Sequence, residues 1–112
     1  MEPLEIAKAQ ILELKPMLQN DYHITELGIF GSYVRGEQTE ESDVDILVAF
    51  EPSFRFGLVT YGKIENYIAD ALGKKVDLVM KSDLKPYIGK QVLKEVIYLW
   101  SSETSETTST TF

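Results

Sequence analysis

A small α/β (α+β) domain, with a mixed β-sheet covered by helices, is the fold the sequence predicts, and three observations carry it. Apolar residues recur at three- and four-residue spacing in three separate stretches. Short β-prone apolar runs lie between them. The order along the chain is helix, strand, loop, strand, helix, strand, helix, with no internal repeat, which is the pattern of a small sheet packed against helices.

Each element follows from its residues. Leu4, Ala7, Ile11, Leu14 and Leu18 mark an amphipathic first helix, with Glu5, Lys8, Glu13 and Lys15 between them and Pro16 placed to kink it or end it early. Thr25 to Phe30 is short, apolar and β-branched, and predicts a buried strand ending at Gly31. Gly31 to Ser42 is rich in Gly, Ser, Thr and Glu and predicts a loop, with one helical turn over Ser32 to Arg35. Asp43 to Phe50 is the clearest strand, an apolar run with two carboxylates at its entrance. Leu58, Tyr61, Ile64, Ile68, Ala71 and Leu72 share a helical face, and Gly73 stops that helix. Val76 to Met80 predicts a third strand. After Pro86, the spacing of Ile88, Val92, Val96 and Leu99 predicts a last helix.

The 112 residues suit one domain, expected over residues 1–100, and the Ser, Thr and Glu of 101–112 predict a disordered tail. A net charge of −7 argues against direct nucleic-acid binding, because phosphate contacts need clustered Lys and Arg. Lack of cysteine excludes disulfides, thiolate zinc sites and a cysteine nucleophile. No apolar run approaches the roughly 20 residues that span a bilayer, and Met1 to Glu5 does not read as a signal peptide, so no membrane association and a cytoplasmic location are expected.

The chemistry is concentrated in Gly31 to Glu37 and Ser42 to Asp45. Residues two apart in a strand point to one side, so Asp43 and Asp45 present their carboxylates together. Their repulsion is relieved by a divalent cation, and paired hard oxygens suit Mg²⁺ completed by substrate phosphates. Asp77 brings a third carboxylate if its strand neighbours the second. Three carboxylates and two metal ions permit in-line phosphoryl or nucleotidyl transfer. Gly31 lets the backbone approach a phosphate, Ser32 offers a hydroxyl and an N–H, and Arg35 adds a planar charge one turn later.

Plainer roles compete with these. Asp43, Asp45 and Asp77 can be solvated strand ends, Ser32 a helix N-cap, and Arg35 an ion-pair partner of Glu37, Glu40 or Asp43 that stiffens the loop. His23 has no second His or Cys to form a metal cluster and reads as a surface residue. Tyr61, Tyr67 and Tyr98 read as core or edge residues, Phe54 and Phe56 as caps on the core, and Lys74 and Lys75 as a solvated helix end. Against this, Gly-Ser, ten residues, then Asp-x-Asp should arise by chance in on the order of one in a thousand chains of this size.

Gly31-Ser32, ten residues, then Asp43-Val44-Asp45 resembles the signature of the DNA polymerase β-like nucleotidyltransferase superfamily, and the placement of Arg35-Gly36 and Ser42 resembles its minimal nucleotidyltransferase branch. The similarity continues through Gly73 to Val79, Leu84-Lys85-Pro86 and Glu95 to Tyr98, nearly everything before the tail. The resemblance implies a nucleotidyltransferase fold and the antitoxin of a HEPN/MNT toxin–antitoxin pair, which transfers AMP from ATP, with Mg²⁺, to a tyrosine of a partner HEPN ribonuclease. It would make Asp43 and Asp45 metal ligands, Asp77 the third carboxylate and general base, and Gly31, Ser32 and Arg35 the phosphate binders. A binding antitoxin that works by covering the toxin is the alternative. Glu37 departs from relatives that often carry Asp there, and no second helical domain follows to hold a small-molecule acceptor.

Overall fold

The computed structural model describes residues 2–101. Its elements are α1 (Pro3–Glu13), α2 (Lys15–Asn20), β1 (Ile24–Phe30), α3 (Ser32–Arg35), β2 (Val44–Phe50), α4 (Leu58–Leu72), β3 (Val76–Met80), α5 (Pro86–Glu95) and β4 (Ile97–Ser101), with a 3₁₀ turn at Lys81–Asp83. The strands form one sheet in the order β3-β2-β1-β4. β1 is antiparallel to both β2 and β4, while β2 and β3 run parallel, so the sheet is mixed as the sequence predicts.

Pro16 divides the first helix in two. α1 closes at Leu14, and α2 opens with Pro16 in its first turn, where a missing N–H costs nothing. Ala7, Ile11 and Leu18 from this pair are buried against Ile64 and Ile68 of α4 and the inward residues of the sheet. Val44, Ile46 and Val48 are the β2 contribution, each fully buried. Because side chains alternate along a strand, Asp45, Leu47 and Ala49 take the opposite face. Leu47 is also buried, as is Val92 of α5, and neither belongs to the main cluster, so both faces of the sheet are covered in part.

The last segment departs from the predicted helix. α5 stops at Glu95 and the chain continues extended, from Val96 at φ −61° and ψ 136° into β4. The apolar spacing of Val92, Val96 and Leu99 fits a helix, but Ile97, Tyr98 and Trp100 are also β-formers, and the free edge of β1 decides between the two. Trp100 is buried and donates its indole N–H to the Ile24 carbonyl at 3.1 Å. Gly28 makes the approach possible, since a Cβ there would stand 2.6 Å from Val96 Cγ2 and 3.0 Å from the Ile97 carbonyl oxygen. Ser101, assigned to the tail by composition, pairs with Glu26 as the last residue of β4. The expected disorder of 102–112 lies outside the described residues.

The aromatic residues of the β2–α4 loop, expected to cap the core, gather on Phe50, which itself packs against the core. Phe54 stacks with Phe50 and with Phe56, Phe56 meets Phe50 at a tilt, and His23 stacks on Phe54 at 4.6 Å while contacting Glu51 at 3.1 Å. Tyr61 is half-buried and donates its hydroxyl to the Leu78 carbonyl, tying α4 to β3, whereas Tyr67 and Tyr98 are edge residues.

Candidate active site

The parallel register of β2 and β3 puts Asp45 directly opposite Asp77, as Val44 is opposite Val76. Adjacent strands lie about 4.8 Å apart and paired residues share a face, so the two carboxylates emerge side by side. Asp43 lies one residue before β2, two before Asp45, and is half-buried with it, while Asp77 is exposed. The fold therefore collects the three acids at one end of the β2–β3 pair. Their charges act on one another. The Asp45 carboxyl is pushed up to about 6, first by burial, then by the negative charges of Asp77 and Asp43, with Arg35 pulling it down in part.

On the other side of β2, β1 ends at Phe30, paired with Asp45, and the chain turns sharply at Gly31. Gly31 has φ +80° and ψ −150°, a conformation that residues with a side chain rarely adopt, and a Cβ there would stand 2.1 Å from Asp45 Oδ2. The first residue of the Gly-Ser pair is thus glycine for two reasons, backbone conformation and contact with the acid. α3 follows at once. Its Tyr33 is buried in the core and its Gly36 cap is left-handed, so the loop is anchored at both ends of the turn. Ser32 sits half-buried at the first helical position beside Gly31.

Arg35 lies close to the acids, and its guanidinium is held by two other carboxylates. Nε donates to Glu37 Oε1 at 2.9 Å, the pairing weighed in the sequence, and Nη1 donates to Glu95 at 3.0 and 3.1 Å. Glu95 also accepts the Gly31 N–H at 2.7 Å. The sequence left Glu95 without a role. Its place in the last turn of a helix, where the dipole disfavours negative charge, emerges only in the structure, because the predicted helix runs on to Leu99.

The donor set suits Mg²⁺. Among the described residues no three acids or histidines converge closely enough to cage a metal ion by themselves. Mg²⁺ needs no such cage, since it is ordinarily held by one or two carboxylates and completed by water and substrate phosphates. A carboxyl raised by burial and by neighbouring acids gains most from a cation. Size does not mark this site: the grooves of about 460 Å³ lined by Phe56, Tyr61, Met80 and Asp83 and of about 410 Å³ lined by Pro86, Tyr87 and Lys94 contain none of the three acids.

Comparison with known proteins bears on the family and the fold. Residues 11–99 match the family described as Nucleotidyltransferase domain. The chain is 48% identical over 101 residues to the protein adenylyltransferase MntA of Thermococcus cleftensis, a match spanning 88% of this chain and 98% of that one. Among solved structures it resembles one assigned as a minimal nucleotidyltransferase, at 33% identity and a TM-score of 0.72 over 87% of this chain and 95% of that one. It also resembles a toxin–antitoxin structure with AMP-PNP, at 25% identity and a TM-score of 0.68 over 88% and 76%. The mixed four-stranded sheet, the glycine turned against Asp45 and these likenesses agree: the chain belongs to the nucleotidyltransferase domain family and is an enzyme of its minimal, protein adenylyltransferase branch.

Proposed function

We propose that this chain is an antitoxin that uses Mg²⁺ and ATP to transfer AMP to a tyrosine of a partner HEPN ribonuclease, and so silences it. The observation that carries the reading is the register of Asp45 with Asp77, next to a Gly31 whose missing Cβ leaves room for the acid. Asp43 and Asp45 hold the metal, Asp77 receives the proton of the attacking hydroxyl, and Gly31, Ser32 and Arg35 bind the triphosphate. Bound Mg²⁺ would neutralise the phosphate charge and the charge that develops in the displacement. In the balanced step the tyrosine oxygen bonds to the α-phosphorus, the bond from that phosphorus to the bridging oxygen breaks, and pyrophosphate leaves while the hydroxyl proton passes to Asp77. A relative named as a protein adenylyltransferase and a toxin–antitoxin structure with AMP-PNP support the choice of a protein acceptor.

The test mixes the purified chain with Mg²⁺, ATP and the HEPN ribonuclease encoded beside it, and reads the intact mass of the ribonuclease. A gain of one or more AMP groups on tyrosine is expected. Tight binding without any mass gain would show neutralisation by covering the toxin instead.

A further inference from the structure

Glu95 stands where the β1–β4 ladder would continue if β4 were longer. Ile29 pairs with Ile97 in an antiparallel register, so the next hydrogen-bonding position pairs residue 31 with residue 95. At 95 the backbone is already the last turn of α5 and cannot offer a strand carbonyl. The side chain supplies the acceptor instead: Glu95 Oε2 takes the Gly31 N–H at 2.7 Å, and the same carboxylate takes Arg35 Nη1 at 3.0 and 3.1 Å. One carboxylate thus clamps the glycine turn at the end of β1 to the arginine one turn further on, from a position 64 residues from the first and 60 from the second.

Local energetics give no reason for an acid there. The helix dipole favours cations in the last turn, as at Lys94, and disfavours a carboxylate. Two charge-assisted contacts offset that cost, and both go to the loop that faces Asp45. The Glu95 side chain is three-quarters covered and its contact with the Gly31 N–H is partly buried, whereas the Arg35 side of the ion pair is about half exposed and screened by solvent.

We infer that Glu95 is a positioning residue, which holds the Gly31 turn and the Arg35 guanidinium in the geometry that receives the nucleotide triphosphate. The inference rests on the proposed reading of the Gly-Ser loop as the phosphate site. It assigns the α5–β4 junction a part in nucleotide binding, and any movement of α5 would be felt directly at Gly31.

Two variants test it. Glu95→Ala removes both contacts, while Glu95→Gln keeps an acceptor for the Gly31 N–H. AMP-PNP affinity with Mg²⁺ is measured by calorimetry well below the melting temperature of each variant, beside the hydrogen-exchange protection of the Gly31 amide. Glu95→Ala should weaken affinity by about 10- to 100-fold and expose the Gly31 amide to exchange, and Glu95→Gln should restore most of both. Wild-type affinity in Glu95→Ala would overturn the inference. So would tighter binding in either variant, which would mean that the carboxylate competes with phosphate for the loop. If the wild-type protein itself fails to bind AMP-PNP, the phosphate-site reading falls with it, whereas loss of Gly31 protection in Glu95→Ala would still establish the clamp.

Discussion

Along β2, Val44, Ile46 and Val48 point into the main core with no exposure, while Asp45 on the opposite face shares its surroundings with Asp77 and Asp43. The first face lowers the free energy of the fold by removing apolar surface from water. The second raises it, because partial burial and then the charges of neighbouring carboxylates resist the ionised form of Asp45. Stability and chemistry are therefore separated on one strand by the two-residue period, and they should respond separately to substitution.

The largest effect is expected on the acid face. Asp43→Asn with Asp45→Asn should lower AMP transfer by about 10³-fold or more, because the metal and the charge it offsets lose their ligands together. Its chemical denaturation midpoint without Mg²⁺ should equal or exceed that of the wild type, and a midpoint well below it would break the separation between the two faces. On the core face, Ile46→Ala should cost about 2–5 kcal/mol in denaturant unfolding. Transfer per folded molecule should stay within a few-fold of wild type.

Gly31→Ala lies between these cases. The new methyl meets Asp45 Oδ2, and the backbone at φ +80° must shift, so a stability loss of about 1–3 kcal/mol should accompany a loss of transfer. If activity falls without any change in stability, the strain at this turn is absent.

The smallest effect is a pH dependence. The Asp45 carboxyl is raised from 3.8 to about 6 in the folded chain, so between those values the native state holds a proton that the unfolded state has released. Its contribution to the stability of the metal-free protein is then greatest at the acid end and is lost as pH rises through about 6. Denaturation midpoints of wild type and Asp45→Asn should diverge across that window, the variant gaining relative to wild type as pH rises, and Mg²⁺ should narrow the gap. Parallel curves would show that burial and the neighbouring acids leave Asp45 unperturbed.

Much of this division could be read from spacing. The alternation in Asp43 to Phe50 announced both faces of β2, and the three- and four-residue period announced α1, α2 and α4, because side-chain direction within an element depends only on local geometry. Gly31 was recognised as a residue permitting close approach, although the group that approaches it within the chain is Asp45. The fourth strand was not legible. Its apolar positions satisfied both periods, and only the open edge of β1, together with the missing side chain of Gly28, selected strand over helix.

The sequence by itself determined the small α/β class, the acidic pair at the entrance of β2 and the Gly-Ser turn, since each is written in residues a few positions apart. The tertiary structure alone decided that Asp77 stands opposite Asp45, that Arg35 is held by Glu37 and Glu95, and that Glu95 completes the ladder at Gly31. Except for Glu37, these partners lie about 30 to 65 positions apart in the chain. Their pairing is set by strand order and register, which follow from burying one shared core rather than from any local pattern.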